Sequence, residues 1–294
     1  MIKNGLLKLS IFLLYSISLL PLWFLYFIAD GVYILLYYVV HYRTKVVRKN
    51  LKNAFPGKTT EELRVIERQF FRYLADFIIE TVKAITMPEH ELKRRVVLTN
   101  PQIVSEYFAK GRSIIAVGGH YCNWELAGLN FYFHTDKKFM VVYKPLANAI
   151  FDDFFYRIRS RFGTIPVAMR QTFRKMVEYK NEQMAIALLG DQTPAMEDAT
   201  YFTDFLNQPT AVFLGIEKLA RSMDMVVLFY DMKRIKRGYY SYTLIPLCEN
   251  PKQTEPYEIT KAHVKHLEDI IKQEPQYWLW SHRRWKFRPE DIQK

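Results

Sequence analysis

Cysteine is nearly missing from this chain. Cys122 and Cys248 occur with neither a C-x-x-C pair nor a regular spacing. A disulfide framework and a zinc knuckle are therefore excluded, and a reducing compartment fits. Internal repeats, low-complexity segments and an obvious linker after residue 58 are absent as well. Acidic residues are in deficit, with 30 Asp and Glu against 42 Lys and Arg and a formal net charge of +12. Such a surface attracts anions: nucleic acid, acidic lipid head groups or an acidic carrier protein. Charge alone does not choose among them.

Half of the 294 residues are hydrophobic, enough to bury one sizeable core and leave an appendage. With 20 Tyr, 21 Phe and 5 Trp, the aromatic content suits either a bilayer interface or a large aromatic core. From Leu9 to Ala29 no residue is charged, and after Asp30 and Gly31 the apolar run VYILLYYVV follows. The first run is long enough to span a hydrocarbon core of roughly 30 Å. Pro21 interrupts it, so the segment reads as one kinked helix or as an in-and-out hairpin. A cleaved signal peptide is disfavoured, because apolar residues continue well past Ser16 and Ser18 without a polar cleavage region. Arg43, Lys45, Arg48, Lys49, Lys52 and Lys58 come next, against Lys3 and Lys8 on the other side. By the positive-inside rule residues 1–40 are a membrane anchor, and residues 41–294 form a domain facing the cytoplasm.

Between Glu61 and Ile85 apolar residues recur at steps of three or four, the mark of an amphipathic helix. Beyond it, SIIAVGG, FMVVY, MAIALLG and MVVLFYDM read as strands, and the intervals near Trp124 to Phe133, Ile150 to Phe162, Gln171 to Lys180 and Val212 to Arg221 as helices. The alternation predicts an α/β fold with a central mixed sheet and covering helices, its ligands beyond the strand ends.

The stretch GGHYCNWE, residues 118 to 125, carries the most chemistry. An apolar strand ends in two glycines and delivers His120 to a helix start, with Glu125 at the end of an H-x-x-x-x-E spacing. A carboxylate folded back onto one imidazole nitrogen fixes the tautomer and leaves the other to take a proton from a hydroxyl. A capping histidine with an ordinary surface glutamate is the bland alternative. Two others stay open: Cys122 as an acylated nucleophile, and a metal held by His120, Cys122 and His134, although no further ligand stands at a usual spacing.

Taken together, the blocks resemble the late acyltransferases of bacterial lipid A biosynthesis, the lauroyl and myristoyl transferase family. The first is GGHYCNWE, including Asn123 and Trp124. The second is VYKPLANAIFDDFFYRIRSRFG, residues 142 to 163, with Tyr143, Pro145, Asn148, Asp152, Arg159, Arg161 and Gly163 at family-like positions. The third is GDQTP, residues 190 to 194, with Asp191 and Gln192; the fourth is WLWSHRRWKFRP, residues 278 to 289, with Arg283 and Arg284. Lys144 stands where the family commonly has Arg, and FLN, residues 205 to 207, where it has a Phe-Phe-Gly turn. Lysine keeps the charge and loses the bidentate fork, which bears on the head group rather than on the chemistry.

The resemblance implies a glycerolipid-acyltransferase-like domain that needs no cofactor or metal. It would move an acyl chain from acyl-acyl carrier protein to a hydroxyl of an anionic lipid acceptor, a lipid A precursor or a related lipid, at the inner membrane. His120 would be general base, Glu125 its orienting partner, and Arg159 or main-chain N–H groups after Gly119 the oxyanion donors. Asp191 would orient a substrate hydroxyl or hold Arg159, and Asn123, Lys144, Asn148, Arg161, Gln192, Arg283 and Arg284 would bind substrate. Phospholipid and aminolipid acyltransferases are the rival enzymes. A membrane-tethered nucleic-acid binder is the non-enzymatic rival, without a recognisable binding motif, and nucleic acid is not an expected partner.

Overall fold

A computed structural model of the chain describes residues 2–291. Helix α1 (Ile2–Leu19) ends just before Pro21, which caps α2 (Leu22–Ile34); a π-helical turn extends α2 through Leu35–Val39. Proline breaks the apolar run because it lacks the N–H that a continuous helix needs. Leu22–Val39 has a mean hydropathy of 1.7 and is long and apolar enough to cross a membrane. One face of α2 lays Leu22, Leu25, Ala29 and Tyr33 inward, while Trp23, Phe27 and Ile34 remain more than half exposed. The expected boundary at residue 40 runs to chain ends outside the described residues, Met1 and 292–294.

Helix α3 (Thr44–Ala54) carries the basic cluster, and α4 (Thr60–Lys83) is the amphipathic helix expected between Glu61 and Ile85. A capping box starts α4: Thr59 accepts from the Glu62 N–H, and Glu62 accepts from the Thr59 N–H at 2.7 Å. Ile66, Phe70 and Leu74 then pack inward. The elements that follow are α5 (Glu89–Arg95), β1 (Val96–Leu98), α6 (Gln102–Ala109), β2 (Ile114–Gly118), α7 (Trp124–Phe131), β3 (Lys138–Tyr143), α8 (Ala149–Arg159), β4 (Ile165–Ala168), α9 (Thr172–Glu178) and β5 (Met184–Leu189). A small hairpin, β6 (Phe202–Phe205) and β7 (Gln208–Ala211), precedes α10 (Gly215–Met223), β8 (Val226–Lys236), β9 (Tyr239–Cys248) and α11 (Glu258–Gln273).

The main sheet has seven strands in the order β1-β9-β8-β2-β5-β3-β4, parallel except for the antiparallel β8–β9 pair. The expected mixed α/β sheet is thus present. The four strands read from apolar runs are β2, β3, β5 and β8; central parallel strands are covered on both faces, so their sequences are continuously apolar. Every residue of β2 is buried. Because β2 and β5 are parallel neighbours in register from Ile114↔Ala185 to Gly118↔Leu189, the residues that follow them emerge side by side at the carboxyl edge. Those residues include His120 and Asp191.

Two histidines near this edge are stored without charge. Burial holds His263 of α11 and His282 each down to about 4, and His263 Nε2 lacks a hydrogen-bond partner among the described residues. Unfolded histidine titrates near ~6.5, so between that value and about 4 the unfolded chain binds more protons than the folded one. Stability is therefore complete above the unfolded pKa and falls as pH drops through this window. The melting temperature should decline from pH 6.5 to 4, and His263→Leu should flatten that decline. An equal slope in parent and variant would remove His263 from the account.

Candidate active site

Two glycines bring the β2 edge close to its neighbours. A Cβ at Gly118 would lie 2.3 Å from the Tyr230 ring, and one at Gly119 would meet Leu267 at 2.7 Å and the Asp191 carboxylate at 3.1 Å. The next residue, His120, is clasped by Asp191 at both ends: its N–H donates to Oδ2 at 2.8 Å, and its Nδ1 lies 2.6 Å from Oδ1. Trp278 Nε1 adds a third donor, to Oδ2 at 2.8 Å. Burial alone would raise the Asp191 carboxyl; His120 and the Trp278 indole outweigh it and hold the group down at about 2. An ionised carboxylate only accepts, so Nδ1 carries the imidazole proton. Nε2 keeps its lone pair and meets the Gln192 amide nitrogen at 3.0 Å.

Glu125 has a different partner. It sits in the first turn of α7, where its Oε2 and Oε1 accept from Arg159 Nε at 3.1 Å and Nη2 at 2.7 Å. This bidentate pair joins α7 to the end of α8. The expectation that Glu125 orients His120 is corrected: the fork of Arg159 takes both oxygens, and Asp191, 71 residues from His120, occupies the orienting position. The expectation that Asp191 binds a substrate hydroxyl or holds Arg159 is corrected with it. Side-chain exposure of Asp191 is only 3%, and its oxygens are already committed.

A cavity of about 730 Å³ opens at these groups. His120, Trp124, Glu125, Arg159 and Gln192 line it near the strand ends, Leu129, Phe131, Phe139 and Val141 line its apolar depth, and Lys144, Arg283 and Lys286 bring positive charge to its wall. His120 and Trp124 meet edge to face at 4.9 Å.

Four other residues expected to bind substrate have partners within the protein. Asn123 is fully buried and caps α7, accepting from Leu126 N–H at 3.1 Å. Asn148 caps α8, accepting from the N–H groups of Ile150 and Phe151. Arg161 donates to the Ala84 carbonyl and, at 3.0 Å, to that of Met87, tying the end of α8 to the segment after α4. Arg284 is 3% exposed and donates to the Ala211 carbonyl at 2.7 Å; burial brings its guanidinium down to about 10. None of these four lines the cavity. Cap residues and buried arginines read like ligands in a sequence because their alternative partners are carbonyls and N–H groups, which carry no residue label.

The main-chain donors expected after Gly119 are also spoken for. His120 N–H serves Asp191, Tyr121 N–H the Gly119 carbonyl at 2.7 Å, and Cys122 N–H the Tyr277 carbonyl at 3.0 Å. Cys122 itself is fully buried, and burial pushes its thiol well up, which removes the thiolate that an acylated nucleophile needs. His134 hydrogen-bonds Asn130 at 3.1 Å instead of joining His120.

Sequence reasoning passed over the roles of Trp278, Thr193 and His282. Trp278 holds the carboxylate, while His282 Nε2 accepts from Thr193 N–H at 3.2 Å in the cavity wall. A tryptophan in a block shared with the family was the available signal. The C-terminal segment also supports the site: Leu279 N–H donates to the His120 carbonyl at 3.1 Å, and Tyr121 pairs with Trp278 in an antiparallel bridge.

A histidine held by a buried carboxylate at the carboxyl edge of an α/β sheet opens onto a deep apolar cavity, an arrangement able to take a proton from a hydroxyl beside a long apolar chain. The chain belongs to the bacterial lipid A biosynthesis acyltransferase family, whose description matches residues 1–287, and it is an acyltransferase. It is 25% identical over 255 residues to the lipid A biosynthesis lauroyltransferase of Escherichia coli (strain K12), covering 85% of this chain and 81% of that protein. It is 25% identical over 248 residues to the lipid A biosynthesis palmitoleoyltransferase of the same organism, and equally to a lipid A biosynthesis acyltransferase of Shigella flexneri; each match covers 84% of this chain and 80% of the relative.

Replacing Asp191 by Asn keeps the shape and removes the carboxylate that selects the Nδ1–H tautomer. Turnover should fall about a thousandfold or more in Asp191→Asn, with a melt close to that of the parent. Near-parental kcat in the folded variant would show that the His120–Asp191 bond is not needed for the reaction.

Proposed function

We propose that the chain moves a fatty acyl group from acyl-acyl carrier protein to a hydroxyl of a lipid A precursor, with His120 as general base and Asp191 as its orienting partner. The observation that carries this reading is the direction of His120: Nδ1 is bound to a buried carboxylate, and Nε2 is turned toward an apolar cavity with cations in its wall.

In this mechanism the acceptor hydroxyl displaces the Gln192 amide from Nε2 and gives up its proton there while its oxygen attacks the thioester carbonyl carbon. The carbonyl π electrons move to oxygen. Arg159, whose Nη1 is not committed to Glu125, and the released Gln192 amide are the donors that would face this oxyanion, since the neighbouring main-chain N–H groups are engaged. The oxyanion electrons return to re-form the carbonyl as the carbon–sulfur bond breaks, and the imidazolium gives its proton to the departing thiolate. Asp191 stabilises the imidazolium in between. Glu125 balances the charge of Arg159 and fixes its plane.

The membrane setting fits the same reading. Trp23, Phe27 and Ile34 on α2 would meet lipid, and Lys45, Lys49 and Lys52 of α3, the next helix in the chain, are exposed. The inner membrane, with the catalytic domain on the cytoplasmic side, is the location this supports.

The test supplies purified full-length protein with acyl-acyl carrier protein and either a lipid A precursor or phospholipid, and follows products by mass. The lipid A precursor should gain the mass of one acyl chain, and His120→Ala should abolish the gain. Acylation of phospholipid alone would replace the acceptor. Full activity of His120→Ala would replace the mechanism.

Arg159→Lys separates charge from geometry. Lysine cannot hold Glu125 in a two-point fork while also facing an oxyanion, so kcat/KM should fall roughly tenfold to a hundredfold. A change within about twofold, only ~0.4 kcal/mol, would return Arg159 to a purely structural place.

A further inference from the structure

One face of α4 buries three ionisable residues that the acyl-transfer mechanism does not use. Asp76, Glu80 and Lys83 follow at helical spacing and are 2%, 0% and 7% exposed. Buried charge is costly unless it is partnered, so the partners reveal what the row does. Lys83 Nζ donates to the carbonyls of Ser18 and Leu20, both at 3.0 Å, around the end of α1. Asp76 accepts from Arg234 and Arg237, each at 2.6 Å, and Arg237 also reaches Asp30 of α2 at 2.7 Å.

Glu80 connects the helices to the reaction centre. Its Oε1 accepts from the Tyr26 hydroxyl of α2 at 2.9 Å, and its Oε2 accepts from the Tyr240 hydroxyl of β9 at 2.7 Å and from Asn123 Nδ2 at 2.6 Å. Binding the amide nitrogen of Asn123 leaves its oxygen for the Leu126 N–H, which caps α7. Asn123 stands in the turn between His120 and Glu125. Cys122, just before it, has φ +51°, a left-handed conformation that a non-glycine residue keeps only where its surroundings impose it. One helix position away from Glu80's row, Phe77 packs on Trp124 at 4.2 Å between ring centroids.

We propose that Glu80 is a positioning residue for acyl transfer, which couples the seating of α2 against the domain to the geometry of the His120–Glu125 turn. On this view α1 and α2 are part of the framework of the site, and cutting the chain after residue 40 removes a support as well as an anchor. The proposal rests on the acyl-transfer reading. Burial raises the Glu80 carboxyl, against the donors that lower it. What Glu80 supplies is an acceptor at a fixed place for Tyr26, Tyr240 and Asn123.

The experiment uses the full-length protein and measures kcat, KM, thermal stability and amide hydrogen exchange in residues 120–127. Glu80→Met keeps the bulk and removes the acceptor; kcat should fall at least about tenfold while KM stays within about twofold. Glu80→Gln should restore kcat to within about threefold, because its oxygen can still receive Asn123 and Tyr240 while its nitrogen donates to the Tyr26 oxygen. Tyr26→Phe alters only the α2 contact, far less than a buried acceptor does. It should speed exchange in residues 120–127 and lower kcat by a few fold, without a matching rise in exchange across the sheet. Asn123→Ser retains a cap but loses the long donor, so adding Glu80→Met to it should cost little more.

Parental kcat in a folded Glu80→Met protein, additive losses with Asn123→Ser, or a Tyr26→Phe protein unchanged in both kcat and local exchange would each overturn the coupling. If Glu80→Met does not fold, Tyr26→Phe decides the matter. The exchange measurement needs no substrate, so it tests the coupling separately from the reaction. Full activity in His120→Ala would instead overturn the acyl-transfer reading.

Discussion

The Asp191 carboxylate is the point around which the site is organised. It takes three donors in a buried place: the His120 N–H, His120 Nδ1 and the Trp278 indole. A buried carboxylate left with fewer donors would be forced toward its neutral form, and a neutral acid no longer fixes the tautomer. With all three in place it stays ionised, holds the imidazole proton on Nδ1 and directs the basic lone pair to the cavity. The chain arranges this with little local effort. Parallel pairing of β2 with β5 sets the two strand ends side by side, and paired glycines admit Tyr230 and Leu267 at distances no Cβ would tolerate and leave the carboxylate close by.

That dependence explains why the C-terminal segment belongs to the framework of the candidate site although it lies outside the sheet. Trp278 supplies a donor to Asp191, Leu279 pins the His120 carbonyl, and Asn50 of α3 donates to the carbonyls of Trp280 and His282 at 2.9 and 3.0 Å. By composition, the block rich in tryptophan and arginine could face lipid or edge the core. Trp278 and Trp280 are among the most deeply buried of the described side chains. Arg283 faces the cavity, but Arg284 spends its charge inside. Alternating Trp and Arg describes either outcome equally well, because both residues combine a large apolar body with a polar end.

The sheet was largely legible where strands are covered on both faces. β2, β3, β5 and β8 each contain an unbroken apolar run, and hydrophobic periodicity finds such runs directly. β9 was not legible. Its YYSYTLIPLC alternates buried and half-exposed positions and hides among polar residues. The short strands β1 and β4 fall below the length at which a period can be recognised. Within the site, His120 and the cavity-facing Lys144, Arg159, Gln192 and Arg283 were legible as residues, whereas the pairing was not. A local spacing suggested Glu125 because it lies close in the chain. The helix start at Trp124 carries it to α8 and Arg159, and the carboxylate that meets the imidazole comes from the neighbouring strand. Contacts across a sheet depend on strand order, which no window along the chain contains.

Strand order also accounts for the charge distribution around the cavity. The two carboxylates nearest the reacting position, Asp191 and Glu125, each have a cationic or proton-donating partner fixed in a different element. The Glu125 charge is balanced by Arg159, and the Asp191 charge is held by three donors inside the wall, away from the apolar space. Lys144, Arg283 and Lys286 have no acidic ion-pair partner among the described residues, so the wall they share keeps its positive charge. An incoming molecule with an anionic end and a long apolar body would be attracted by the cations and ordered by the apolar depth, with the imidazole between them. The acidic groups thus do their work through hydrogen bonds inside the wall, and the field that a substrate meets is set by the basic ones.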